Sequence, residues 1–131
     1  MRRLALATAA MLLRASCGER AAADDQGLHN DIVNNNNGAE VTFDATVLAD
    51  PVQSGGHERF EVKTATGETL EIDNNITLAA SVPIHAGDTV VIHGELYIDP
   101  SPKVGVPCTH ATTSSGCQNS GGNEFTSNYY E

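Results

Sequence analysis

The sequence has no tryptophan, only three phenylalanines and three tyrosines, and only seven lysines and arginines against 17 aspartates and glutamates. A formal net charge of -10 leaves no basic face with which to neutralise phosphates, which excludes a nucleic-acid binder of the usual kind. At 131 residues the chain has room for one domain and no multidomain enzyme. No apolar run reaches the roughly 20 residues a membrane-spanning helix needs. Catalytic signatures are missing too: there is no G-x-S-x-G, no H-E-x-x-H and no phosphate loop. No D-x-[DN]-x-[DN]-G calcium loop occurs, and the only methionines, Met1 and Met11, lie in the first eleven residues, which argues against a copper-carrying site.

What is present begins with an address. Met1-Arg2-Arg3 is a basic start, and Leu4 to Leu13 is an apolar stretch of ten residues, too short to span a bilayer and suited to a signal peptide. Leu13-Arg14-Ala15-Ser16-Cys17 is similar to a bacterial lipoprotein signal, with Cys17 as the lipidated residue; cleavage after Ala23 is the alternative. Either cut leaves a formal charge of -13, from 4 basic and 17 acidic residues or from 3 and 16. Residues 1–17 are therefore expected to be a lipoprotein-like signal peptide. Residues 18–38, polar and Asn-rich without periodicity, are expected to be a flexible linker. Residues 39–131 are expected to be the folded domain.

Cysteine parity agrees with export. With Cys17 lost or lipidated, Cys108 and Cys117 remain and are expected to form a disulfide, worth roughly 2.5–3 kcal/mol for so short a loop. The alternative for the same segment is a metal site adding His110.

The domain reads as all-β. Val41, Phe43, Ala45 and Val47 alternate along a half-buried strand. His57–Thr64 and Thr69–Asp73 form a hairpin about a turn at 65–68. Residues 75–86 are a connector with room for one helical turn before Pro83. Thr89–Asp99 is the strongest strand, with Val90, Ile92, Gly94, Leu96 and Ile98 on one face and Val91, His93, Glu95 and Tyr97 on the other; Gly94 predicts a bend. Residues 103–110 are a weaker fifth strand, and a loop follows. Five strands in this order predict a small OB-like Greek-key barrel, with a small β-sandwich as the rival.

Three stretches carry a family resemblance: His57-Glu58-Arg59-Phe60, Asn75-Ile76-Thr77-Leu78-Ala79, and Gly87-Asp88-Thr89-Val90 leading to Gly94-Glu95. With Thr109-His110 and Tyr130 they resemble an uncharacterised family of small exported bacterial proteins, the domain of unknown function numbered three-four-six-five, over about residues 41–131. Asn74 stands where that family leads one to expect His, and Cys108 and Asn123 where it leads one to expect aromatic residues. A looser similarity runs to the periplasmic bacterial OB-fold family. Both resemblances imply an exported OB-like domain, and neither supplies an activity.

Candidate site residues are few. His93 and Glu95, two apart on one strand, share a face and could hold a divalent metal or act as an acid–base pair. Tyr97 extends that face, and His57, Arg59 and His110 complete the ligand-binding candidates, although Arg59 is also expected to pair with a neighbouring carboxylate. The leading expectation is a monomeric envelope-binding module without a cofactor. Its ligand is an envelope protein, a glycan or a small cationic molecule, and its only membrane contact is a lipid on Cys17. The alternative is a divalent-metal, hydrolytic site on His93 and Glu95, which requires a third side chain such as His57 or His110 to converge on them.

Overall fold

A computed structural model describes residues 21–99, 104–111, 116–117 and 119–131. The expected signal peptide and Cys17 lie outside the described residues. In chain order the elements are α1 (Asp25–Val33), β1 (Glu40–Val47), β2 (Val52–Ser54), β3 (His57–Thr64), β4 (Thr69–Asn75), β5 (Thr89–Glu95), β6 (Tyr97–Ile98), β7 (Val104–Val106), β8 (Gly122–Phe125) and β9 (Asn128–Tyr130). The protein is mostly β, as the alternation of its sequence predicts. No helix among the described residues is long and apolar enough to cross a membrane.

The strands form one mixed sheet in the order β6-β7-β4-β3-β1-β5-β8-β9, with β2 added beside β3. All pairs are antiparallel except β4 with β7. The structure departs from the expected five-stranded OB-like barrel on two counts. There are nine strands among the described residues, because β2, β8 and β9 are built from short polar segments that periodicity does not mark. The sheet is also not closed: its path has two ends, and β5 meets β6 only through the chain itself, at Leu96. The long strand expected at 89–99 breaks there. Leu96 points into the core at 1 % exposure while its N–H donates to the Ala39 carbonyl (2.8 Å). Gly94 prepares this crossing, since a Cβ on it would lie 2.5 Å from the Cys108 carbonyl oxygen and from Val106 Cγ1.

The core is the inward face of the sheet: Val41, Phe43, Ala45 and Val47 from β1, Phe60 and Val62 from β3, Leu70 and Ile72 from β4, Val90 and Ile92 from β5, with Leu96 and Val106. The connector contributes Val82 and Ile84, and opens with one turn, in which Ala79 N–H donates to the Asn75 carbonyl (2.9 Å). Cys108 and Cys117 form the expected disulfide, with Cα atoms 5.5 Å apart.

The expected flexible linker over 18–38 is also corrected, because α1 lies within it. Asp24 caps the helix by accepting from Gly27 N–H (2.9 Å), Asp25 lies in the first turn where the helix dipole favours an anion, and Asn35 ends the turn with φ 55°. Leu28 is buried and Ile32, four residues on, packs beside it. Leu28 and Ile32, the two packing residues in a stretch of 21, make a stripe too thin to register as a pattern, yet they suffice because the domain offers a place for them. Among the described residues no β-strand flanks the start of β1 on its β3 side, since β3 pairs only with Ala45–Val47. Residues 24 and 25 fill that edge: Asp24 N–H donates to the Thr42 carbonyl (2.8 Å), and Asp25 Oδ1 accepts from Asp44 N–H (2.8 Å).

A charged contact fastens the helix further along. His29 Nδ1 meets Glu68 Oε1, and Glu68 Oε2 accepts from Thr66 Oγ1 and from Thr64 Oγ1, the latter at 2.5 Å. Partial burial raises the Glu68 pKa, but the hydrogen bonds from Thr64, Thr66 and His29 outweigh it and hold the carboxyl down to about 2, from an ordinary 4.5. A depressed folded-state pKa contributes stability that is fully present above pH 4.5 and is lost as pH falls toward 2. Urea unfolding at pH 6, 4 and 2.5 should therefore show the native chain losing more stability over that window than Glu68→Gln, and equal losses would refute this account.

Candidate functional site

A concave surface among the described residues arises from a mismatch between two neighbouring chain segments. Val47 pairs with Val62, and Val52 pairs with Arg59. Between these pairs, residues 48–51 stand opposite only Phe60 and Glu61, so the excess loops out as a wide bulge, with Leu48 N–H still donating to the Glu61 carbonyl (2.9 Å). The ladder resumes as the β2–β3 hairpin. Its turn, Gly55-Gly56, has φ of 59° and 79°, a pair of left-handed conformations suited to glycine and to a tight hairpin.

The bulge opens a groove of about 210 Å³ lined by Ala49, Asp50, Val52, Arg59, Phe60, Glu61 and Glu71. Its lining mixes apolar residues with charged ones. Glu61 and Glu71 are directly opposed across β3 and β4, an arrangement of like charges that costs free energy in an isolated sheet. Asp50 Oδ1 accepts from Ala86 N–H (2.9 Å), and that bond, aided by His85 nearby, holds its carboxyl below the usual range. Arg59 pairs with a carboxylate as expected: its Nε donates to Asp73 Oδ2 (3.2 Å), while His57 Nδ1 lies 2.6 Å from Asp73 Oδ1. Among the described lining residues the one cation, Arg59, is thus tied to Asp73, and Asp50, Glu61 and Glu71 also line the groove.

Beneath the hairpin, Glu58 is a carboxylate on the core face, 1 % exposed. Its oxygens accept from Val82 N–H (3.0 Å), Ser81 Oγ (2.6 Å) and Gln53 Nε2 (3.3 Å), which binds the connector and β2 to β3. Asn74 does similar work, donating to the Ala80 carbonyl (3.1 Å) and accepting from Thr109 Oγ1 (3.3 Å). These bonds make the groove a formed feature of the sheet.

The structure sorts the expected site residues into three places. His57 and Arg59 meet at Asp73, beside the groove. His93 and Glu95 lie on the outward face of β5, across from Thr42 and Glu40. There the His93 ring is bracketed by Thr42 Oγ1 (2.5 Å) and Glu40 Oε1 (3.1 Å). Tyr97 stands apart on β6, half-exposed, and His110 is buried at 2 % exposure. The metal alternative needed three side chains to converge. Among the described residues no group of three or more His, Cys, Asp or Glu is placed to hold a metal ion.

Glu61 and Glu71 were missed by sequence reasoning. The signal existed, since both fall on the outward phase of their strands, but their opposition depends on a register that only the fold supplies.

The family described as "Protein of unknown function (DUF3465)" matches residues 10–122. The chain belongs to that family. The resemblance read from its hairpin and fourth-strand motifs is thereby established as membership. No curated protein matches the chain. Membership in this family supplies no reaction or ligand, so function rests on the geometry just described.

Removing the buried carboxylate tests how the groove is held. Glu58→Leu leaves the Val82 N–H and the Ser81 hydroxyl without their acceptor, and is expected to cost about 1–3 kcal/mol in chemical unfolding. A neutral result would mean that the connector is positioned by its apolar residues alone.

Proposed function

We propose that this is an exported binding module of the bacterial envelope, without catalytic activity, which captures a cationic ligand in the groove at the β1–β2 bulge. One observation carries the reading: Asp50, Glu61 and Glu71 face an opening whose single guanidinium is already occupied by Asp73. A cation entering there would add positive charge beside Asp50 and Glu61 while its apolar part lies along the exposed Val52. The low content of basic residues adds a long-range attraction for positive ligands, weakened by salt.

The OB-like reading of the fold belongs to this proposal. Parallel pairing of β4 with β7, and a fourth long strand divided at Leu96 between two neighbours, support it. Export and lipid attachment at Cys17 are supported by the basic start, the apolar run and the Ala15-Ser16-Cys17 sequence.

Two measurements test the proposal. Titrating the ¹⁵N-labelled chain with putrescine should shift amides at residues 50, 52, 59–61 and 71, with succinate leaving them unmoved and Glu61→Gln weakening the response several-fold. Equal responses to the dication and the dianion would refute cation capture. Expressed in a bacterial host, the chain should fractionate with membranes, and Cys17→Ala should move it to the soluble exported fraction. An unchanged distribution would refute lipidation.

A further inference from the structure

Resting on the cation reading above, we infer that the natural occupant of the groove is a lysine or arginine side chain of a partner polypeptide, which lies as an added strand along β2. Size is the first argument. Pockets that enclose small-molecule ligands run to roughly 300–1,000 Å³, whereas this groove offers about 210 Å³ and is open to solvent. That volume suits one long side chain better than a whole cofactor or nucleotide, and charge restricts the side chain to a basic one.

The second argument is the edge beside it. Among the described residues β2 pairs only with β3, and all three of its residues are exposed. With Ser54 and His57 flanking a two-residue turn, the antiparallel register directs the Gln53 N–H and C=O away from β3. A strand placed about 4.8 Å further out would satisfy them. It would also run past Val52, which is 66 % exposed and lines the groove, toward Leu48, 45 % exposed on the far side of the bulge. The same short edge thus presents two backbone groups, two exposed apolar side chains and an acidic socket. This is the combination used by domains that bind extended peptides, where the main chain supplies affinity and side-chain pockets supply choice.

The test uses the full ¹⁵N-labelled chain and four probes. They are a blocked pentapeptide with alternating valine and lysine, the same peptide with glutamate for lysine, the lysine peptide with alternate amides N-methylated, and putrescine. The lysine peptide should shift the amides of Val52, Gln53 and Ser54 together with those of Arg59 and Glu61. It should bind at least ten-fold tighter than putrescine, and lose that advantage on N-methylation, on substitution by glutamate, and in Glu61→Gln. Putrescine binding at the groove with a peptide that is no tighter, or that is indifferent to N-methylation, would overturn the strand inference and leave cation capture standing. Failure of every cation to reach the groove would overturn both.

Discussion

Residues 40–54 run as one line of chain between two neighbours of unequal length, and the rest of the molecule is arranged around that inequality. On one side β1 pairs with β5 from Glu40 to Thr46. On the other side β3 reaches only as far as Ala45. The uncovered start of β1 must find other partners for its backbone, because an unpaired, partly buried peptide group costs as much as a lost hydrogen bond. Asp24 and Asp25 provide them, which is why a helix forms in a segment with little else to recommend it. At the other end of the line the mismatch takes the opposite sense. Four residues face two, the surplus is expelled as a bulge, and the groove is the space it leaves. Helix and groove are two resolutions of one constraint.

The electrostatics follow from the same register. With Val62 opposite Leu70 and Phe60 opposite Ile72, Glu61 must face Glu71 and Arg59 must face Asp73. The first pairing is repulsive and the second attractive, so the outward face of the hairpin carries the Arg59–Asp73 pair beside the opposed Glu61 and Glu71, with Lys63 next along β3. A one-residue slip would relieve the repulsion but turn Phe60 and Val62 to solvent, and their burial is worth roughly 1.5–3 kcal/mol each. Surface repulsion between partly solvated carboxylates is smaller than that. The core therefore dictates the charge pattern, and the groove inherits it. Glu58, on the inward phase, is tolerated because three donors converge on it.

This explains how much of the molecule the sequence discloses. Strands with a buried face announce themselves by alternation: Val41 to Val47, Phe60 and Val62, Leu70 and Ile72, Val90 and Ile92. The disulfide follows from parity and compartment, and the family from spaced motifs. What stays hidden is whatever a neighbour induces. The helix α1 rests on Leu28 and Ile32 because an open edge awaits it. The strands Gly122–Phe125 and Asn128–Tyr130 carry no alternation long enough to mark them, and pair because β5 offers an edge. Asn123, fully buried with neither amide atom hydrogen-bonded among the described residues, breaks the rule that polar side chains mark the surface. Within the site, Arg59 and His57 were legible as rim residues, whereas the Glu61–Glu71 pair required the register.

The position of α1 bears on what the domain can meet. With an ordered domain starting only at residue 39, a lipid on Cys17 would hold it on 21 linker residues, able to reach roughly 70 Å from the bilayer. The helix cap at Asp24 leaves six residues, 18–23, between that lipid and the fold, a reach of roughly 20 Å at most. On the proposed anchoring, the domain is therefore confined to a layer close to the membrane, about its own diameter in depth. An acidic domain is repelled by anionic headgroups over a screening length of about 8 Å at physiological salt, so it is pushed to the outer part of that layer. Confinement also raises the local concentration of anything anchored alongside it. A shallow socket of about 210 Å³ and an edge of three residues can then serve as a useful contact even where the affinity of the isolated domain in solution is low.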